Sequence, residues 1–394
     1  MTSVAADLDL RRATHFVVLL GMVSLFADMT YESARAITGP FLELLGASAT
    51  VVGVVAGLGE LIGYALRFVS GKIADRTGRY WAITIFGYCL NLLAVPALAL
   101  AGHWQVAVAL MFLERAGKAM RNPPRDAMLS FAGKRMGRGW GFALHEAMDQ
   151  TGATLGPLVV AGVLAVRHDY HTAFAILLVP ALLSLAVLLT ARFLFPHPRA
   201  LESKTPELDT RDYAKSFWLY LAATGCIAAG FADYPLLAYH FSKVGSVGAA
   251  GIPLLYALAM GVDAIAALAF GRIYDRKGMG VLLVAALLPV PVAPLALFGG
   301  FEGAVAAAVL WGIGMGAQES VMKATVAAMS PVARRGTAFG TFNMSFGVFW
   351  FLGSALMGVL YDFSPLLLAA FSAAAQLAAL PLLVGVMRTA SSRS

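Results

Sequence analysis

The chain has 394 residues, 59% of them hydrophobic and 13% charged, with a mean hydropathy of +0.76. Soluble domains carry roughly a quarter charged residues, so this composition excludes an ordinary soluble globular protein. The net charge of +7 does not mark a nucleic-acid binder, because the basic residues cluster in short loops between apolar blocks.

Those blocks run to about 20 residues or more, enough to cross a hydrocarbon core of ~30 Å. Apolar blocks and breakers predict twelve helical spans. Six fall near 14–45, 48–70, 81–101, 104–127, 140–166 and 170–194, and six near 214–243, 247–270, 279–299, 303–328, 334–360 and 365–387. Met1 to Arg12 is polar and mixed in charge, which does not fit a cleavable signal. The first block is longer than a bilayer requires and is expected to tilt or bend near Gly39-Pro40. Cys89 and Cys226 lie inside apolar segments, where small buried packing is their expected role.

Span 1 places Asp28 ~20 Å from its start and Glu32 one turn further, and span 2 places Glu60 ~18 Å from its start. Ionisable groups this close to the midplane are costly and need a partner or a watery cavity. Span 2 runs into Gly71-Lys72-Ile73-Ala74-Asp75-Arg76-Thr77-Gly78-Arg79, read as a surface loop whose glycines allow tight backbone. Asp75 there can accept hydrogen bonds from the positive end of a neighbouring helix, making a gating loop with Arg76 and Arg79. A plain topology signal would need neither the aspartate nor the fixed glycines.

Span 4 carries Glu114, Lys118, Arg121 and Arg125 at spacings of four, three and four, one helical face. Lys118 and Arg121 fit two readings: a basic lining that attracts anionic cargo, or an ion-pair ladder with Asp126, Glu60 and Asp149. Arg115, ~16 Å down the span, is expected to face Asp28 and Glu32. Span 5 brings His145, Glu146 and Asp149, with Asp149 ~15 Å deep. A buried carboxylate beside a histidine can exchange protons near neutral pH. Gly152 and Gly156-Pro157 follow, permitting close helix contact and a bend.

Pro196 to Asp212 is the one long polar connection. Beyond it the first half recurs: Gly271-Arg272-Ile273-Tyr274-Asp275-Arg276-Lys277-Gly278 repeats the first loop, and Phe231-Ala232-Asp233 repeats Phe26-Ala27-Asp28. Gly314 and Gly353 repeat Gly117 and Gly156 at a common offset of 197. The expected organisation is therefore a duplicated unit: residues 1–195, a cytoplasmic linker at 196–213, and residues 214–394. Asp233 and Asn343 join the substrate-cavity candidates, and Asp275-Arg276 the gating residues. Glu319 and Lys323 are spaced for an internal pair. Of the 29 Lys and Arg, 20 fall on the side that holds the N-terminus, which predicts both termini in the cytoplasm.

The loop at 71–79, Arg115-x-Gly117-Lys118 in span 4 and the glycine-proline stretch at 152–157 together resemble the major facilitator superfamily. The glycine-proline stretch departs from the antiporter pattern, with Val160-Ala161 where a glycine pair is usual. The resemblance implies an all-α membrane protein of 12 transmembrane helices in two six-helix pseudo-symmetric bundles, working by alternating access. In related proton-coupled antiporters, span-1 acids and the span-4 arginine take part in coupling. The expectation is a monomeric inner-membrane transporter of a small organic solute, driven by the proton gradient as efflux. Uptake of an anionic metabolite is the alternative, and divalent-metal export through Asp28, Asp233 and His240 a weaker one. No enzyme, cofactor, resident metal or nucleic-acid partner is expected; the lipid bilayer is.

Overall fold

The computed structural model describes residues 2–136, 138–197, 215–322, 325–326, 329 and 335–391, and among them it is all-helical. The first half forms α1 (Thr2–Leu44), α2 (Ala49–Thr77), α3 (Tyr80–Ala97), α4 (Trp104–Met136), α5 (Arg138–Arg167), α6 (Tyr170–Ile176) and α7 (Leu178–Leu194). The second forms α8 (Lys215–Gly230), α9 (Tyr234–Val244), α10 (Gly251–Lys277), α11 (Val281–Leu287), α12 (Val292–Phe298), α13 (Gly300–Ala317), α14 (Arg335–Phe363) and α15 (Pro365–Ser391). Paired as α6–α7, α8–α9 and α11–α12, these make twelve crossings. Among the described residues eleven are long and apolar enough to span a bilayer. The exception is α4, whose 33 residues suffice in length but whose middle is charged. Most of the predicted linker lies outside the described residues.

Both signature loops are tighter than the sequence suggests. Lys72 to Thr77 continue α2 and Arg272 to Lys277 continue α10, so only the glycines turn the chain. Gly78 (φ 67°) donates its N–H to the Ala74 carbonyl at 2.8 Å, and Gly278 (φ 64°) donates to the Tyr274 carbonyl. A left-handed residue satisfying a last-turn carbonyl is a helix stop that glycine makes without strain. The side chains of Asp75 and Asp275 lie outside the description.

Span 7 is not one helix. It breaks at Phe231–Asp233, and a new helix begins with Pro235 in its first turn, where its missing N–H costs nothing. Backbone freed inside a membrane needs partners. Ser372 and Gln376 donate to the Gly230 carbonyl at 2.6 and 3.1 Å, and the Trp311 indole donates to Ala232 at 2.9 Å. Thus Phe231-Ala232-Asp233 differs in conformation from its sequence repeat Phe26-Ala27-Asp28, which is helical. By contrast α1 continues through Pro40.

The packing resolves into two compact units. Met1–Ala34 with Ala65–Pro206 forms one, and Arg35–Tyr64 with Glu207–Ser394 the other. In the first, Phe16, Trp81, Tyr88, Leu92 and Leu188 sit in one buried core. A Cβ on Gly152 or Gly156 would collide with the backbone of Leu25 or Met29 in α1. In the second, a Cβ on Gly353 would collide with Ala229 in α8, so the repeat pairs α14 with α8 as α5 is paired with α1. Lipid offers no hydrophobic drive for helix association, and such close backbone approach supplies it through dispersion contact.

Candidate functional site

In the first unit, α1 and α4 face each other in opposite directions and their charges interlock. Arg121 lies 3.5 Å from Asp28, and Lys118 lies 3.6 Å from Glu32. One step towards the other end, Arg125 donates to the Ser24 hydroxyl at 3.2 Å and pairs with Asp126 at 2.8 Å. Steps of four along α1 (Ser24, Asp28, Glu32) meet steps of four and three along α4 (Arg125, Arg121, Lys118). Asp28 therefore meets Arg121 in place of the expected Arg115, six residues along α4. Arg115 instead donates to the Tyr31 hydroxyl and approaches Glu114 at 3.6 Å.

Aromatic and polar neighbours complete the ladder. The Lys118 ammonium sits 3.3 Å above the Tyr31 ring, and the Arg121 guanidinium 4.3 Å above Tyr88. Asn91 on α3 donates to the Glu114 carboxylate at 2.7 Å. His145 on α5 bonds Ser24 at 2.8 Å through Nε2, so this histidine is tied to α1. Desolvating so many charges is unfavourable unless each is paired. That explains why Glu114, Lys118 and Arg121 on α4 are turned to α1 and α3.

Two charged groups beside this ladder have buried atoms without hydrogen-bond partners, as do the Tyr88 hydroxyl and the Asn91 amide oxygen. Arg121, 1% exposed, has Nε and Nη1 without hydrogen-bond partners, and Asp149 on α5 has a buried Oδ1 in the same condition. Asp28 feels the charges of Asp149, Lys118, Arg121 and Glu32 together. A proton gained or lost by any one carboxylate shifts the balance for all of them.

The second unit holds a separate charged centre. Asp233, 1% exposed, stands at the break in span 7. Both its carboxylate oxygens accept from the Trp350 indole at 3.0 Å, and one accepts from Ser354 at 2.5 Å. Arg35 lies 3.9 Å from Asp233 and 3.7 Å from Glu60. Glu60 thus belongs to this centre, paired with Arg35 where the ion-pair reading of span 4 would have paired it with the basic residues of that span. Arg35 was missed by the sequence reading. Its signal was present, since it follows Glu32 by three residues within span 1.

The remaining candidates spread out. Glu146 is exposed and accepts a hydrogen bond from Gln150 at 3.5 Å, and Asn343 is half-buried on α14. Gly71 is helical, meeting Pro123 at 3.3 Å if given a Cβ. Arg76, Arg79 and Arg276 are exposed. Glu319 and Lys323 fall outside the described side chains. Among the described residues no cluster of three metal-ligating side chains occurs. Asp233 is occupied by its indole and hydroxyl donors, and His240 bonds the Tyr361 hydroxyl at 2.8 Å through Nδ1.

Twelve crossings, an internal repeat and paired charges within the spans define a multi-pass membrane transporter rather than an enzyme. The sequence profile of the Major Facilitator Superfamily matches residues 18–301. The chain belongs to that superfamily, and it is a secondary transporter of small molecules. An uncharacterized protein of Mycobacterium tuberculosis is 43% identical over 359 residues, covering 89% of this chain and 88% of that protein. Multidrug resistance protein MdtH of Edwardsiella ictaluri is 31% identical over 131 residues, 33% of this chain and 32% of MdtH. The crystal structure of the nucleoside transporter NupG superposes with TM-score 0.73 at 13% identity, covering 95% of this chain and 98% of NupG, a likeness of fold.

Proposed function

We propose that the protein exports a small organic solute across the inner membrane, coupled to proton entry, by alternating access. The observation that carries the reading is the partnerless buried oxygen of Asp149 beside the charge ladder of α1 and α4. A carboxylate so placed binds a proton without breaking an existing hydrogen bond, and the proton changes how strongly Asp28 holds Arg121. The partial likeness to a multidrug resistance protein favours efflux. The moving parts are two six-helix halves, residues 1–195 and 214–394, joined by the linker at 196–213. Residues 35–64 are the portion of the first half that packs with the second. The lysine and arginine distribution supports cytoplasmic termini, and the transporting unit is the monomer.

Uptake of an anionic metabolite is the second reading, favoured by the two unpartnered nitrogens of Arg121. Flux in proteoliposomes separates the two. With an imposed pH gradient, Asp149→Asn abolishes gradient-driven accumulation but keeps solute exchange at zero gradient. Unchanged gradient-driven flux in that variant sinks the coupling role. Inhibition by anionic but not cationic lipophiles selects the second reading.

A further inference from the structure

Where span 3 begins and span 6 ends, the first unit contains a cavity of about 500 Å³. Among the described residues its lining includes Arg79, Arg192 and His197 and no carboxylate, with Tyr80, Trp81 and Ile85 forming an aromatic and apolar floor. Cavities of this size hold small ligands. Among the described residues neither Arg79 nor Arg192 enters an ion pair, so two guanidinium groups from separate helices converge without a counter-charge. The start of α3 adds to the same sign, since Arg79 makes no side-chain cap there.

The walls are built rather than incidental. The Trp81 indole donates to the Phe195 carbonyl at 3.0 Å, and Phe16 packs against both rings at 6.2 and 5.1 Å. These contacts fix the ends of α3 and α7 side by side. Just beyond the cavity the surface turns apolar: Phe193 is 80% exposed, Leu194 63% and Phe86 55%. The positive cavity therefore sits at the boundary between polar loops and the lipid-facing surface. A topology signal requires positive charge at this level, but neither a cavity nor an aromatic floor.

We propose that this cavity binds the phosphate of an anionic phospholipid, with Arg79 and Arg192 on the phosphate oxygens and the acyl chains lying along Phe86, Phe193 and Leu194. Guanidinium forks suit phosphate geometry, and basic pockets between spans bind anionic headgroups. In the orientation proposed above, the lipid belongs to the cytoplasmic leaflet.

The test uses the full chain in detergent, with lipid adducts measured by native mass spectrometry. Phosphatidylglycerol and phosphatidylcholine with the same acyl chains are compared. Phosphatidylglycerol is expected to bind at about tenfold lower concentration. Arg79→Gln with Arg192→Gln removes that preference while leaving phosphatidylcholine adducts unchanged. Arg167→Gln, the same single charge loss as Arg192→Gln but outside the cavity, retains the preference. Arg192→Gln alone gives an intermediate loss, which serves if the double variant unfolds. Equal binding of the two lipids, or an equal loss in Arg167→Gln, overturns the site. Displacement of the lipid by inorganic phosphate at matching concentration overturns its assignment to a lipid.

Discussion

The Asp362 carboxylate at the end of α14 caps the first turn of α2, 312 residues away at Thr50. It accepts from the N–H groups of Ala49 and Thr50 at 3.1 and 2.8 Å, and from the Thr50 hydroxyl at 2.6 Å. A helix start has four N–H groups without partners, and here a distant carboxylate takes two of them and adds its charge to the favourable end of the dipole. Beside it, a Cβ on Gly53 or Gly57 would strike the backbone of Ser354 or Phe351. In the alternating-access cycle proposed above, this contact is one that has to open.

Loss of such a cap costs about 1 kcal/mol. Asp362→Ala should therefore speed amide hydrogen exchange over residues 49–52 by about fivefold, while exchange in α3 stays unchanged. Unaltered exchange at residues 49–52 would show that the cap does not hold the turn.

The Asp28–Arg121 pair should behave differently, because both groups are buried and Arg121 has no second ion pair among the described residues. Removing one leaves an uncompensated charge, at a cost of ~3 kcal/mol or more. Arg121→Gln or Asp28→Asn alone should lower the thermal midpoint clearly in detergent. The double variant should recover part of the loss, since no orphan charge remains. Additive losses in the double variant would contradict the pairing.

Asp169 offers a small pH-dependent test outside the spans. It caps α6, accepting from the Thr172 hydroxyl at 2.5 Å, the Thr172 N–H at 2.8 Å and the His171 N–H at 3.2 Å. The Thr172 hydrogen bonds hold its carboxyl below the usual carboxylate range. A group with a depressed folded value adds stability above its unfolded pKa of about 3.9 and loses it as pH falls through the folded value. Corrected for intrinsic rates, exchange at residues 171–172 should accelerate on acidification below pH ~4. In Asp169→Ala that acceleration should vanish and exchange should be fast at every pH.

The residue types of the ladder were legible in the sequence, since buried charges at helical spacing announce themselves. The register was not. Periodicity says which residues share a face of α4, but the opposing turn of α1 depends on how deeply two antiparallel helices slide past each other. Glycine contacts such as Gly152 against Leu25 help to settle that. The break at Phe231–Asp233 had a local signal in Pro235, which a strict count of apolar length conceals. The packing of residues 35–64 with the second half had no local signal, because it arises from glycines in α2 and α14 that look like ordinary span residues.

Arg35 and Asp233 supply the contrasting case to Asp28 and Arg121. Asp233 keeps the Trp350 and Ser354 donors if Arg35 is lost, and Arg35 keeps Glu60 if Asp233 is lost. Neither single substitution strands a charge. Arg35→Gln and Asp233→Asn should each lower the thermal midpoint by less than Arg121→Gln does. Trp350→Phe removes the donor to both oxygens of Asp233 and leaves Arg35 as its main counter-charge, so Trp350→Phe combined with Arg35→Gln should exceed the sum of the two singles. Simple additivity would show that the indole and the guanidinium act on Asp233 independently.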